Sequence, residues 1–189
     1  MDQIIKFEEA CEETKELYAK LLELGVVDLC QDVFKQKTEF LVVMPKEANG
    51  DMAYQSNIYI DVDPWEFTIQ FGYFHMHISG VCECAEIVKK IYEGKIFSFL
   101  LKTSLGMERY GYRDLEMYGS KDVISDVFLI QDLREYYANK SGSYDLSDEK
   151  MEEIYLKLIN EKNPAFISYY FYNDIEPTKV DFYLDGDEE

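Results

Sequence analysis

Long apolar runs are missing from this sequence. No stretch approaches the ~20 consecutive apolar residues that cross a bilayer. The opening segment, MDQIIKFEEACEETKE, is acidic where a signal peptide starts basic. The chain therefore reads as cytoplasmic, with no membrane partner. Catalytic signatures are also missing. There is no G-x-S-x-G around a serine nucleophile, and no P-loop or G-x-G-x-x-G for a nucleotide. Gly106 and Gly111 sit among aromatic and charged residues, not ahead of a helix that could hold phosphate. Basic residues are scarce. Only 19 lysines and arginines stand against 38 aspartates and glutamates, a net charge of −19. The few basic clusters are Lys89-Lys90 and the Lys35/Lys37 pair, so no basic patch is available for nucleic acid. Cysteine is limited to four residues at irregular spacing, a pattern that fits reduced thiols better than a disulfide framework.

What is present suits one acidic domain. Of 189 residues, 47% are hydrophobic, enough for a sizeable core and too many for general disorder. There is no internal repeat, low-complexity tract or clear linker, so residues 1–189 read as a single domain, with a mobile acidic tail at 185–189. The negative charge is concentrated at the two ends. Residues 1–32 hold nine acids and three bases, and residues 145–189 hold thirteen acids and four bases. Such a field repels nucleic acid and attracts basic partners, although acidity also serves solubility alone. Aromatic residues make up 15%, with sixteen tyrosines. Tyrosine suits binding surfaces and suits strands equally.

Periodicity places the elements. Ile4, Phe7, Cys11, Thr14, Tyr18 and Leu21 recur at three and four, predicting a helix over 3–24 that stops at Gly25. Residues 26–36 are ambiguous and could form a short second helix. Strands are expected at 39–44 and 56–62, separated by the loop that Pro45 and EANGD mark. After the Asp63-Pro64 turn, alternation predicts one long strand from Trp65 to about Ile78. Its odd positions, Trp65 to His77, form one face, and Gly72 marks a bulge or bend within it. Gly80 breaks the strand. Val81, Ala85, Val88 and Ile91 then define a helix over 82–93, ended by Gly94. A strand at 95–102 precedes MERYGYRDLEMYGS, residues 107–120, which reads as a hairpin or extended flap around Gly111. Helices are expected over 121–138 and 147–161, with the loop NKSGSYD between them. Strands are expected at 165–172 and 179–184. The order of elements favours an α+β fold: a mostly antiparallel sheet flanked by helices.

Two places could carry function. The segment FGYFHMHISGVCEC, 71–84, contains both histidines and two cysteines. His75 and His77, two apart on a strand, share a face, and with Cys82 and Cys84 they make an N₂S₂ set of the kind zinc takes. Asp61 or Asp63 could instead complete a two-histidine site. However, the cysteines are spaced by one residue rather than the two to four of zinc ribbons, and Cys84 opens a helix whose inner face begins at Val81 and Ala85. The reading preferred here is histidines buried or half-buried in the sheet, with no metal and no cofactor. The second place is the flap. Tyr110, Tyr112 and Tyr118, interleaved with Glu108, Asp114 and Glu116, would suit a surface that binds a basic protein. An edge hairpin kept soluble by its charges explains the same pattern.

WEFTIQFGYFHMHISGVCECAEIVKKIYEGKIFSFLLK, residues 65–102, resembles small bacterial immunity-type proteins that accompany secreted polymorphic toxins. In those, a strand ending in Gly-aromatic-x-His-x-His leads to a helix and then to a GKI-like strand start. The matching positions are Gly72, His75, His77, Ala85, Gly94, Lys95 and Ile96, and the match covers about a fifth of the chain. Where such relatives carry acidic residues after the second histidine, this chain has SGVCEC. The resemblance implies a binding protein, not an enzyme, that inactivates a cognate toxin by occlusion. Toxins of this class that attack nucleic acid have basic clefts, which the acidity of this chain would complement. A metal-dependent hydrolase using His75 and His77, or an acidic nucleic-acid mimic with a regulatory role, are the alternatives.

Overall fold

Alternating apolar residues build most of what the computed structural model describes. It covers residues 3–35, 37–44, 57–102, 108–118, 165–172 and 178–182, with isolated positions 147, 149 and 153. The expected loop after Pro45, the helix over 121–138, the NKSGSYD loop and the tail at 185–189 lie outside the described residues, as does nearly all of 147–161.

Six strands follow one another across a sheet in chain order: β1 (Gln3–Ile5), β2 (Val33–Lys35), β3 (Glu39–Val43), β4 (Ile58–Asp63), β5 (Glu66–Phe71) and β6 (Phe74–Ile78). Every pairing in this sheet is antiparallel. The register sets two buried rows, Leu41–Ile60–Ile69–Met76 and Val43–Ile58–Phe71–Phe74. Helix α1 (Glu12–Glu23) buries Leu17 and Leu21, and helix α2 (Val81–Tyr92) buries Cys84, Ala85, Val88 and Ile91. These helix stripes and the sheet rows form a single apolar cluster, so both helices lie on one face of the sheet. Fully burying one such side chain is worth about 1.5–3 kcal/mol.

A second sheet has the order β10–β9–β7–β8, from β7 (Ile96–Lys102), β8 (Glu108–Asp114), β9 (Ala165–Tyr170) and β10 (Thr178–Phe182). One helical turn, α3 (Leu115–Tyr118), follows β8. The fold is thus α+β with a largely antiparallel sheet, as expected. By its contacts the chain divides into two compact units. The first comprises Met1–Leu100, Tyr110–Asp114 and Tyr169–Thr178; the second comprises Leu101–Arg109, Leu115–Ser168 and Lys179–Glu189. The second unit's described part is the α3 turn, the isolated positions 147, 149 and 153, and the remaining portions of β7–β10. The side chains discussed below belong to the first unit unless noted.

Three expectations are corrected. Residues 3–24 are not one helix. Gln3–Ile5 pairs with β2, a 3₁₀ turn spans Phe7–Glu9, and α1 begins only at Glu12. The cause is tertiary. Glu39 on β3 accepts the Cys11 backbone N–H at 2.9 Å and the Thr14 hydroxyl at 2.8 Å, occupying donors at the helix start. Residues 26–36 hold no second helix: Val33–Lys35 is a strand, and Leu29 makes an isolated bridge to Val43. Residues 65–78 are not one strand but the hairpin β5–β6. Gly72 is its turn, at φ 56°, a left-handed backbone that a Cβ disfavours. Gly25 and Gly94 do end the helices, at φ 85° and 70°.

Candidate functional site

The turn at Gly72 decides where the histidines point. Phe71 and Phe74 pair across it, both facing the core, so the buried positions change from odd on β5 to even on β6. His75 and His77 therefore face away from the helices and are exposed. The expectation of histidines buried or half-buried in the sheet is incorrect, because a two-residue turn reverses which parity faces the core. His77 Nδ1 lies 2.6 Å from Glu66 Oε1 and 3.3 Å from Thr68 Oγ1. The two imidazoles stand edge-on with centroids 5.4 Å apart. Cys84 is on the buried side of α2, against the opposite face of the sheet, and burial pushes its thiol pKa up to about 12. Cys82 is exposed on the same helix. The four residues of the possible zinc set thus do not converge. Among the described residues no group of three or more histidine, cysteine, aspartate and glutamate side chains could hold a metal ion.

The 107–120 segment also differs from a hairpin. Glu108–Asp114 is one continuous strand at the edge of the second sheet, and Leu115–Tyr118 is helical. Gly111 is not a turn residue. A Cβ there would come 3.4 Å from the Phe99 ring, so glycine permits close approach over an aromatic. Arg113, on the same face of β8, places its guanidinium 5.0 Å from the Phe99 ring centre.

The alternate positions of β8 carry the expected binding residues. Tyr110 is 64% exposed and Tyr112 41%. The Tyr112 ring rests 4.8 Å from Phe74, which holds one side of it and leaves the other to solvent. Asp114 is committed elsewhere, accepting the Lys90 ammonium at 2.7 Å, and it is mostly covered. Glu116 is exposed on α3, in the second unit. Glu108 and Tyr118 lie on β8 and α3, and their side chains fall outside the described residues. The structure therefore brings together the tyrosine pair and withdraws Asp114 from the proposed acidic surface.

Sequence reasoning missed Trp65. Placed by alternation at the start of a long strand, it instead occupies the tip of the β4–β5 hairpin and is 86% exposed. The signal was available: Asp63-Pro64-Trp65-Glu66 puts aspartate first and proline second, as a tight turn prefers. The Trp65 N–H donates to Asp63 Oδ1 at 3.2 Å, closing that turn. Elsewhere, an open hollow of about 450 Å³ beside β1 and α1 is lined by Ile5, Phe7, Tyr18, Lys6, Glu8 and Asp32, among others. No serine, cysteine or histidine lines it.

Among the described residues no helix is long and apolar enough to cross a membrane. No family model, curated protein or solved structure matches the chain.

Proposed function

We propose that this chain is an immunity-type binding protein of the bacterial cytoplasm that inactivates a cognate toxin by covering a basic, nuclease-like cleft. The observation that carries this reading is the pair Tyr110 and Tyr112, exposed side by side on an edge strand of a chain whose net charge is −19. Edge strands that avoid other chains are short, charged, bulged or covered. This one is charged at both ends, Glu108-Arg109 and Arg113-Asp114, and between those charges presents two large exposed rings two residues apart. Tyrosine contributes contact area at low entropic cost, and a surrounding negative field accelerates encounter with a basic surface. The mechanism is occlusion: the rings are desolvated against the toxin while the carboxylates steer it.

The test is co-purification with the protein encoded immediately upstream, followed by kinetics of the isolated pair. A 1:1 complex in which the toxin is silent, with an association rate that falls steeply as salt rises, supports the reading. Absence of a complex, or association indifferent to salt, would overturn it.

A further inference from the structure

The β4–β5 tip is a second, separate surface. Trp65 projects from a two-residue turn and makes no ring contact with any described residue. Asp63 and Glu66 flank it and are direct partners across the ladder. Like charges placed opposite one another destabilise a sheet. Nothing described offsets this pair with a lysine or arginine, and Glu66 meets only His77. Asp61 lies one pair further along the same outer face. An exposed indole between two carboxylates that no described lysine or arginine offsets complements a planar cation. Guanidinium stacks on an indole and forms paired hydrogen bonds with carboxylates, which an ammonium cannot do.

We propose that this tip is a docking point for an arginine-bearing basic polypeptide segment, with the guanidinium lying on the Trp65 indole and bonded to Asp63 and Glu66. β5 separates this tip from the Phe74–Tyr112 contact by six residues, roughly 20 Å at the usual strand rise. The proposal goes beyond the toxin-binding reading and does not depend on it.

Trp65 is the only tryptophan in the chain, so its fluorescence reports this tip alone. The experiment titrates the full chain with a capped peptide of alternating arginine and glycine. The lysine and glutamate versions of the peptide serve as comparisons. The expected result is a saturable change in Trp65 emission with the arginine peptide, weaker binding of the lysine peptide and no response to the glutamate peptide. The double variant Asp63→Asn, Glu66→Gln keeps side-chain oxygens that can accept the bonds closing the turn and meeting His77. It should bind about tenfold more weakly, although it removes only two of 38 acidic residues. The Trp65→Ala variant, followed by anisotropy of a labelled arginine peptide, should lose the same increment. Changing Tyr110 and Tyr112 to alanine should leave the Trp65 response intact, which separates this site from the β8 surface. Unchanged emission, or equal affinity in the Asn/Gln variant, would overturn the proposal.

Discussion

Glu39, buried to 6% exposure on β3, accepts the hydroxyl of Thr14 on α1 at 2.8 Å. With the Cys11 N–H on the same oxygen and Lys35 Nζ 3.3 Å from the other, a strand carboxylate serves as the cap of a helix 25 residues earlier in the chain. Burial alone would push this carboxyl up. The donors from Cys11, Thr14 and Lys35 outweigh burial and hold it below its ordinary range. Its folded pKa is therefore depressed. The stability it contributes is complete above the unfolded carboxyl value of about 4.3 and is lost as pH falls through the folded value.

Replacing Glu39 with Gln should lower the unfolding free energy by about 1–3 kcal/mol near neutral pH, the usual range for a buried hydrogen-bonding group to a charge. Urea titrations from pH 3 to 7 check this. The variant should lose less stability than the parent as pH falls below about 4.3. Parallel pH curves for the two proteins would show that the carboxylate is not the cap.

Replacing Tyr110 and Tyr112 with Ala should speed dissociation from a bound toxin by more than tenfold, because a desolvated aromatic anchor contributes roughly 2 kcal/mol. Removing 185–189 should instead slow association, since its four carboxylates contribute to the long-range field that steers a basic partner. Surface plasmon resonance separates the two effects, and circular dichroism confirms that both variants are folded. Tail removal that abolishes binding, with the tyrosine variant as tight as the parent, would favour nucleic-acid mimicry by the acidic ends.

The purified protein should contain well below one zinc per chain. Cys84 and the two histidines occupy opposite faces of the sheet, and a thiol pushed to about 12 is a poor source of thiolate. Elemental analysis measures this directly. One tightly held zinc, lost on His75→Ala or Cys84→Ala, would restore the hydrolase reading.

Tyr172 is buried, its hydroxyl has no hydrogen-bond partner among the described residues, and its ring centre lies 5.0 Å from that of Tyr92, whose own hydroxyl donates to Asp28 at 3.0 Å. Burial first, then the Asp28 charge, raises the Tyr172 phenol above its ordinary value. Tyr172→Phe should therefore be neutral or stabilising by up to ~1 kcal/mol, whereas Tyr92→Phe should cost ~1 kcal/mol through its lost bond. Thermal unfolding of the pair decides it, and a Tyr172→Phe variant that melts well below the parent would disprove the unpartnered hydroxyl.

The elements read correctly from sequence are those whose determinants are local. The stripe Val81–Ala85–Val88–Ile91 and its glycine borders were sufficient for α2, and the alternation of Ile58, Ile60 and Val62 was sufficient for β4. Errors arose where distant residues decide. Ile4 has helical spacing to Phe7 but is drawn into β1 by pairing with Phe34, and the start of α1 depends on Glu39. The change of apolar parity at Gly72 was visible, but a bend and a two-residue hairpin produce nearly the same pattern. In the site, the tyrosine spacing on β8 was legible. The commitment of Asp114 to Lys90, 24 residues earlier, was not.

The sequential order of the six strands bears on how the chain reaches its fold. β4, β5 and β6 are joined by two residues at each turn, whereas β1 meets β2 only after residues 6–32 have been placed. Closing that longer connection costs about 2 kcal/mol more in chain entropy. Contacts of short sequence separation form fastest, so the β4–β6 meander is expected to act as the folding nucleus, with β1 added last. Pulse-labelled amide exchange should protect Ile60 and Ile69 before Ile5, and Gly72→Ala should slow refolding, whereas Glu39→Gln should mainly quicken unfolding.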